Sequence, residues 1–295
     1  TKKNDISHTI LSNMYSEYDV VFLQEVSKSF VRLIKKSVPS SVSAAAVAAI
    51  SGISSTSVSG GSLSQYYHIF TPASMSNAAT SSRDQNSVIL LKRHRYSEVV
   101  DITKDILSEI SALTKDGKKV DVPIADGDLL VLSALDVTTD RRMMFASFHG
   151  DTNGLATIPV VSAVYSHAIN KRPDHRLLFG MDANTYEFPD SDQQGMVAFA
   201  EWYTSKKLNS CYGKKPYVKN YTTFHARTYL QSQLNKAVAL EDRDSKGDKN
   251  PKDFIVFFSS DYNIVWTHRD NTGQGLYIDD MIFPTLAFPS DHYLG

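Results

Sequence analysis

HRLLFGMDAN, residues 175–184, is the stretch on which the fold turns. Its apolar half has the length and composition of a strand, and it runs without a break into a polar turn holding Asp182 and Asn184. Carboxylates at the ends of apolar strands are costly to bury unless they hold a cation or pair with a base. The pattern recurs along the chain. Gln24-Glu25 ends the apolar run of DVVFLQEV (19–26). His149-Gly150-Asp151-Thr152-Asn153 follows MMFASF (143–148). Asp253 opens DFIVFF, and Ser290-Asp291-His292 lies in FPSDHYLG (288–295). Each reads singly as a solvated turn. Five in one chain call for a common explanation.

Around these clusters the pattern is one of strands punctuated by helices. Ile6, Ile10, Leu11 and Met14 fall on one helical face within 5–18. DVVFLQEV carries a strand buried on both faces. YYHIFTP, NSVILLK and YSEVVDI read as neighbouring strands, and DLLVLSALDV and RRMMFASFH as two more joined by a short turn. Helical patterns cover 154–169 and 195–207. KDFIVFFS, YNIVWTHR and LYIDDMIF read as strands. Residues 37–65 are a Ser/Ala/Gly-rich insertion. Irregularly spaced helices among many strands favour an α/β (α+β) domain of two sheets packed face to face, with helices outside.

Composition narrows the function. The chain has 295 residues, enough for one sizeable domain, and 31 Lys+Arg against 32 Asp+Glu. A formal charge of -1 argues against a protein that holds nucleic acid mainly by a basic surface, while leaving a local basic patch open. One cysteine, Cys211, allows no intrachain disulfide and reads as a small buried side chain. No run approaches the roughly 20 apolar residues of a membrane span, and the first residues carry no signal-peptide core.

In order, LQEV, the histidine-ended strand, GMDAN, KDFI and SDH resemble the motifs of the endonuclease/exonuclease/phosphatase (DNase I-like) superfamily, over residues 19 to 292. That group includes pancreatic-type deoxyribonuclease, abasic-site endonucleases, sphingomyelinases, deadenylases and inositol-polyphosphate 5-phosphatases. The resemblance implies a four-layer α/β/β/α sandwich of two packed mixed β-sheets flanked by helices. It implies Glu25 as a ligand of Mg²⁺ (Mn²⁺ as substitute), with Asp291 a further acid beside the metal. Asp182 would orient or deprotonate the attacking water, and Asn184 would donate an amide hydrogen to water or phosphate. His149 and His292 would bond the phosphate, with Asp253 orienting His292. The same resemblance places a first strand before Thr1 and a last strand after Gly295, so the single domain over 1–295 is expected to lack both.

The substrate stays open at this level. The 5-phosphatase signatures W-x-G-D-x-N and C-D-R-I are absent, and the corresponding strand reads PKDFI. Loops 60–86 and 209–250 are the candidates for selectivity. His225, Arg227, Gln231, Gln233 and Asn235 read either as phosphate or base contacts or as a solvated loop. HGDTNG, with Asn153, reads either as a phosphate-facing turn or as a helix cap. Three functions remain: hydrolysis of a phosphodiester, as in a nuclease; hydrolysis of a small or lipid phosphomonoester; and a non-catalytic interaction role on the same scaffold. A phosphate-ester substrate is the expected partner, nucleic acid among the candidates.

Overall fold

A computed structural model describes residues 2–36, 62–75, 84–115, 117–216, 220–224 and 248–295. Helix α1 (Lys2–Met14) leads to strand β1 (Val20–Leu23) and helix α2 (Lys28–Lys35). Ser27 starts α2, its hydroxyl accepting the Phe30 N–H at 3.1 Å. Next come α3 (Leu63–Tyr66), β2 (Tyr67–Phe70), β3 (Val88–Lys92), β4 (Tyr96–Asp101) and α4 (Thr103–Ser111). A small ribbon, β5 (Thr114–Lys115) and β6 (Lys118–Lys119), precedes the long hairpin β7 (Leu129–Asp136) and β8 (Arg141–His149). Then follow α5 (Thr157–Lys171), β9 (His175–Asp182), α6 (Met196–Ser205), β10 (Leu208–Ser210) and β11 (Asp253–Phe258).

Two sheets result. One has the order β1-β3-β2, the other β10-β11-β9-β8-β7-β4. Within the larger sheet β8 and β9 are parallel, and α5 supplies the crossover a parallel pair requires. The smaller sheet is antiparallel throughout rather than mixed, because both of its pairings run to β3 in the antiparallel sense.

Strand periodicity explains the layering. On β7, Leu130, Leu132 and Ala134 join Ile89 and Leu91 of β3 in the core between the sheets. Their neighbours Leu129 and Val131 face the other way, into the core under α4, α5 and α6. Val88 and Leu90 of β3 likewise pack beneath Ile10 and Leu11 of α1 and Phe30, Val31 and Ile34 of α2. Central strands are therefore apolar on both faces, which is why they read as runs rather than alternations. The outcome is a helix–sheet–sheet–helix sandwich.

The sheets are pinned at both ends. At one end Arg95 pairs with Asp136 of β7 at 2.9 Å and with Asp19 just before β1. At the other, Gln24 donates to Ser147 Oγ of β8 at 3.0 Å. Burial works to raise the Asp136 pKa, but hydrogen bonds from Arg95 and Thr138 outweigh it and hold the carboxyl down at about 2. A depressed pKa stabilises the fold above the unfolded value of roughly 4, and that contribution is lost as pH falls through about 2. Asp136→Asn is expected to lower stability by about 1–2 kcal/mol at pH 6. The gap from the native chain should close near pH 2. Urea denaturation across this range checks it, and equal stability at pH 6 excludes the clamp.

Several sequence expectations change. YNIVWTHR and LYIDDMIF form no strands; they lack a neighbouring ladder, and Val265 and Trp266 are 97% and 75% exposed. The segment is held instead by the buried Asp270. Its carboxylate accepts the backbone N–H groups of Thr272, Gly273 and Gly275, and the Tyr15 hydroxyl at 2.9 Å. Helix α4 was hidden behind the strand signal of YSEVVDI. Cys211 is half-buried rather than buried. Residues 37–61 of the insertion lie outside the described residues, as do Arg227 and Gln231 with His225, Gln233 and Asn235. No helix among the described residues is long and apolar enough to cross a membrane.

Candidate active site

Strand register assembles the site. The parallel pairing of β8 with β9 sets His149 beside Asp182, and the antiparallel pairing of β9 with β11 sets Asp253 on the other side of Asp182. Neighbouring strands lie about 4.8 Å apart, so three polar side chains stand in a row at one sheet end. Glu25 arrives from the other sheet. Phe22 of β1 packs on Gly180 of β9, a position where a side chain would meet its ring. With Phe22 seated there, the chain three residues on reaches the end of β9. Glu25 itself adopts a left-handed backbone, φ 56°, uncommon for a residue of this kind and often tied to function. Its carboxylate lies 3.4 Å from His149 Nε2 and accepts the Gln85 amide at 3.2 Å.

His292 comes without a strand. Leu294 and Asp270 exchange backbone hydrogen bonds at 2.8 Å, and the Tyr293 N–H donates to Thr222. These anchors hold His292 Nδ1 at 2.8 Å from Asp253 Oδ2 and Nε2 at 3.8 Å from Asp182 Oδ2. His149 Nε2 stands 3.7 Å from the same Asp182 oxygen. Glu25, His149, Asp182, Asp253 and His292 thus form one continuous cluster. It stands at a cleft of about 410 Å³ whose lining includes Glu25, Asp182, Asp253, Ser290, Asp291 and His292.

Charge in the cluster is balanced by burial. Burial pushes the Asp182 carboxyl up to about 6, with Asp253 adding to the rise and His292, His149 and Lys252 opposing it. Burial works against charge on His292, yet Asp253 and Asp182 outweigh it and raise its pKa well above the ordinary value. The Nδ1 of His149 is buried and has no hydrogen-bond partner among the described residues.

The donor chemistry fits a hard divalent cation. Carboxylates of Glu25, Asp182, Asp253 and Asp291 line the cleft, and oxygen donors are what Mg²⁺ takes. Asp182, Asp253 and His292 each present a ligand atom within 4.8 Å of the others. His292 and Asp253 already satisfy each other, which leaves Glu25 with Asp291 as the freer acids.

Asn184 is held at the end of β9 beside Asp182. Its amide donates to Gly150 O at 2.9 Å and leans on Asp182 Oδ2 at 3.4 Å, while its backbone N–H donates to Asp182 Oδ1 at 2.9 Å. It orients the carboxylate and ties the ends of β8 and β9. Asn153 is not brought into the cleft. Its amide faces Asp192 at 3.4 Å, and Asp151 accepts the N–H groups of Asn153 and Ala156, closing a turn ahead of α5, whose N-cap Ala156 makes no side-chain cap.

No family model and no curated protein matches the sequence. Among solved structures, the chain is similar to D. rerio TDP2 complexed with single strand DNA product, at 14% identity, over 99% of this chain and 89% of that one, with a TM-score of 0.50. It is similar also to an endonuclease/exonuclease/phosphatase family protein from Bacteroides thetaiotaomicron, at 11% identity over 88% and 75% of the two chains, with a TM-score of 0.50. The chain shares the fold of these structures.

On this scaffold, three residues near the site escaped the sequence. Lys252 sits at the end of the charged run DRDSKGDKNPKD. It is buried, 2.7 Å from Asp248, and its backbone carbonyl accepts the Ala183 N–H at 2.7 Å. Gln85 and Ser147 carried no pattern of their own. Only their position directly before β3 and within β8 gives them a partner.

Proposed function

We propose that the chain is a divalent-metal-dependent phosphoesterase that hydrolyses a phosphodiester by in-line attack of water. The observation that carries this reading is the buried Asp182 carboxylate held between two imidazoles, with the Glu25 carboxylate beside one of them. Glu25 and Asp291 would hold Mg²⁺ or Mn²⁺. When bound, the ion supplies Lewis acidity to a phosphoryl oxygen and steadies the leaving oxygen. Asp182, oriented by the Asn184 N–H, accepts a proton from the attacking water. The water oxygen bonds to phosphorus as the opposite ester P–O bond breaks. His292, kept in one tautomer by Asp253, donates from Nε2 to a non-bridging oxygen, and His149 does so from the other side. The likeness to a TDP2 structure holding single strand DNA product supports a nucleic-acid substrate.

The test is hydrolysis of bis-p-nitrophenyl phosphate against p-nitrophenyl phosphate, with Mg²⁺, with Mn²⁺ and with EDTA. Metal-dependent cleavage of the diester is expected. Preference for the monoester would make the chain a phosphatase, and no activity on either substrate or on DNA or RNA would leave an interaction protein. Glu25→Gln is expected to raise the Mn²⁺ concentration for half-maximal activity at least about tenfold, since even outer-shell partners are worth that much. Water-proton relaxation by Mn²⁺ reads the same affinity without turnover. An unchanged titration removes Glu25 from the metal.

A further inference from the structure

One charged surface is left unused by this site. Lys28, Arg32, Lys35 and Lys36 lie along a groove of about 410 Å³ completed by Val31, Thr71 and Met75. The first three recur at i, i+4 and i+7, one face of α2. Arg32, Lys35 and Lys36 are exposed, and none of the four has an ion pair among the described residues. Asp84 accepts the Lys28 backbone N–H at 2.6 Å. Four cations in one groove are conspicuous on a chain whose formal charge is -1.

The groove begins at the residue that follows the cleft-lining Ser27. Ser27 and Phe30 of the same helix line the catalytic cleft, while Lys28 and Val31 line the groove. Lys28 follows Glu25 by three residues, within about 11 Å at full extension. From Lys28 to Lys35 the helix advances about 10 Å, a span that successive backbone phosphates of one strand can match. Thr71 adds a hydroxyl donor, and Val31 and Met75 offer an apolar floor to sugars or bases.

We propose that the α2 groove is a subsite for the backbone phosphates of a single-stranded nucleic acid flanking the bond that is cut. This rests on the phosphodiesterase reading and adds its substrate class. Phosphate contacts of this kind position a strand without reading its sequence.

The test is fluorescence anisotropy of a labelled single-stranded 12-mer with the full chain and with Arg32→Gln/Lys35→Gln, across a salt series in EDTA. Two lost phosphate contacts should reduce the slope of log K against log[salt] by about 1.4 and weaken binding roughly tenfold at low salt. Bis-p-nitrophenyl phosphate is too small to reach the groove, so its turnover should not change. Equal slopes and affinities overturn the subsite, as does failure of the native chain to bind the oligonucleotide. So does a double variant that loses an acidic peptide or anionic vesicles but keeps the oligonucleotide. Charge reversal, Arg32→Glu/Lys35→Glu, should enlarge the loss, and reversal without effect also overturns the proposal. Loss of diester turnover in the native chain would strike the catalytic reading alone, because the salt slope is measured without metal.

Discussion

Asp182→Asn lowers kcat/KM on a phosphodiester by about 10³-fold, the middle of the range for removing a positioned general base. The substitution keeps the shape and the Asn184 N–H contact to the oxygen at position 182. It removes the negative charge and with it the capacity to take a proton. Little stability should be lost. Asp182 is buried, and burial already works against its charge, so a neutral amide relieves a desolvation cost while giving up attraction to two imidazoles. The urea midpoint should stay near that of the native chain. The readout is steady-state hydrolysis of bis-p-nitrophenyl phosphate in saturating Mn²⁺, paired with the urea curve. A variant that turns over normally would falsify the assignment of Asp182. One that loses activity and unfolds early would mean the carboxylate serves the fold.

Gly180→Val has the largest expected effect on stability. A Cβ at Gly180 would stand 2.6 Å from Phe22 Cβ and closer still to the ring. Gly180 sits inside β9, paired on both sides, and Phe22 packs between the sheets where it also borders the cleft. Overpacking at such a contact costs about 1–3 kcal/mol. The consequence reaches the chemistry. Phe22 fixes where β1 ends, and Glu25 follows three residues later, so the folded fraction should also need more Mn²⁺. Phe22→Ala in the same chain should recover part of the loss, because the two side chains compete for one volume. Urea denaturation of the single and double variants measures this. A Gly180→Val chain as stable as the native one, or strictly additive effects, would show that the contact does not set the spacing of the sheets.

Much of the site was legible because its members end apolar strands. Glu25, His149, Asp182 and Asp253 each break a hydrophobic run, and a break in a run is a one-dimensional signal. SDH was legible only through resemblance, since nothing periodic leads to it. Lys252 was hidden for the opposite reason: its neighbours are so charged that a buried lysine looks like any other. The strands expected at YNIVWTHR and LYIDDMIF failed because β-branched and aromatic residues suit a strand only where a neighbouring ladder exists. The bond from the Asn184 amide to Gly150 carried no mark in the sequence, because that partner is set by strand pairing.

The amino-acid sequence by itself determined the layered α/β architecture and the polar residues at strand ends, because burial on two faces and the cost of burying carboxylates both leave marks along the chain. Only the tertiary structure decided which of those residues meet. Register between β8, β9 and β11, the seat of Phe22 on Gly180, and the Asp270 anchor under His292 are pairings between distant segments. Such contacts depend on spacing in three dimensions, to which local propensity is blind.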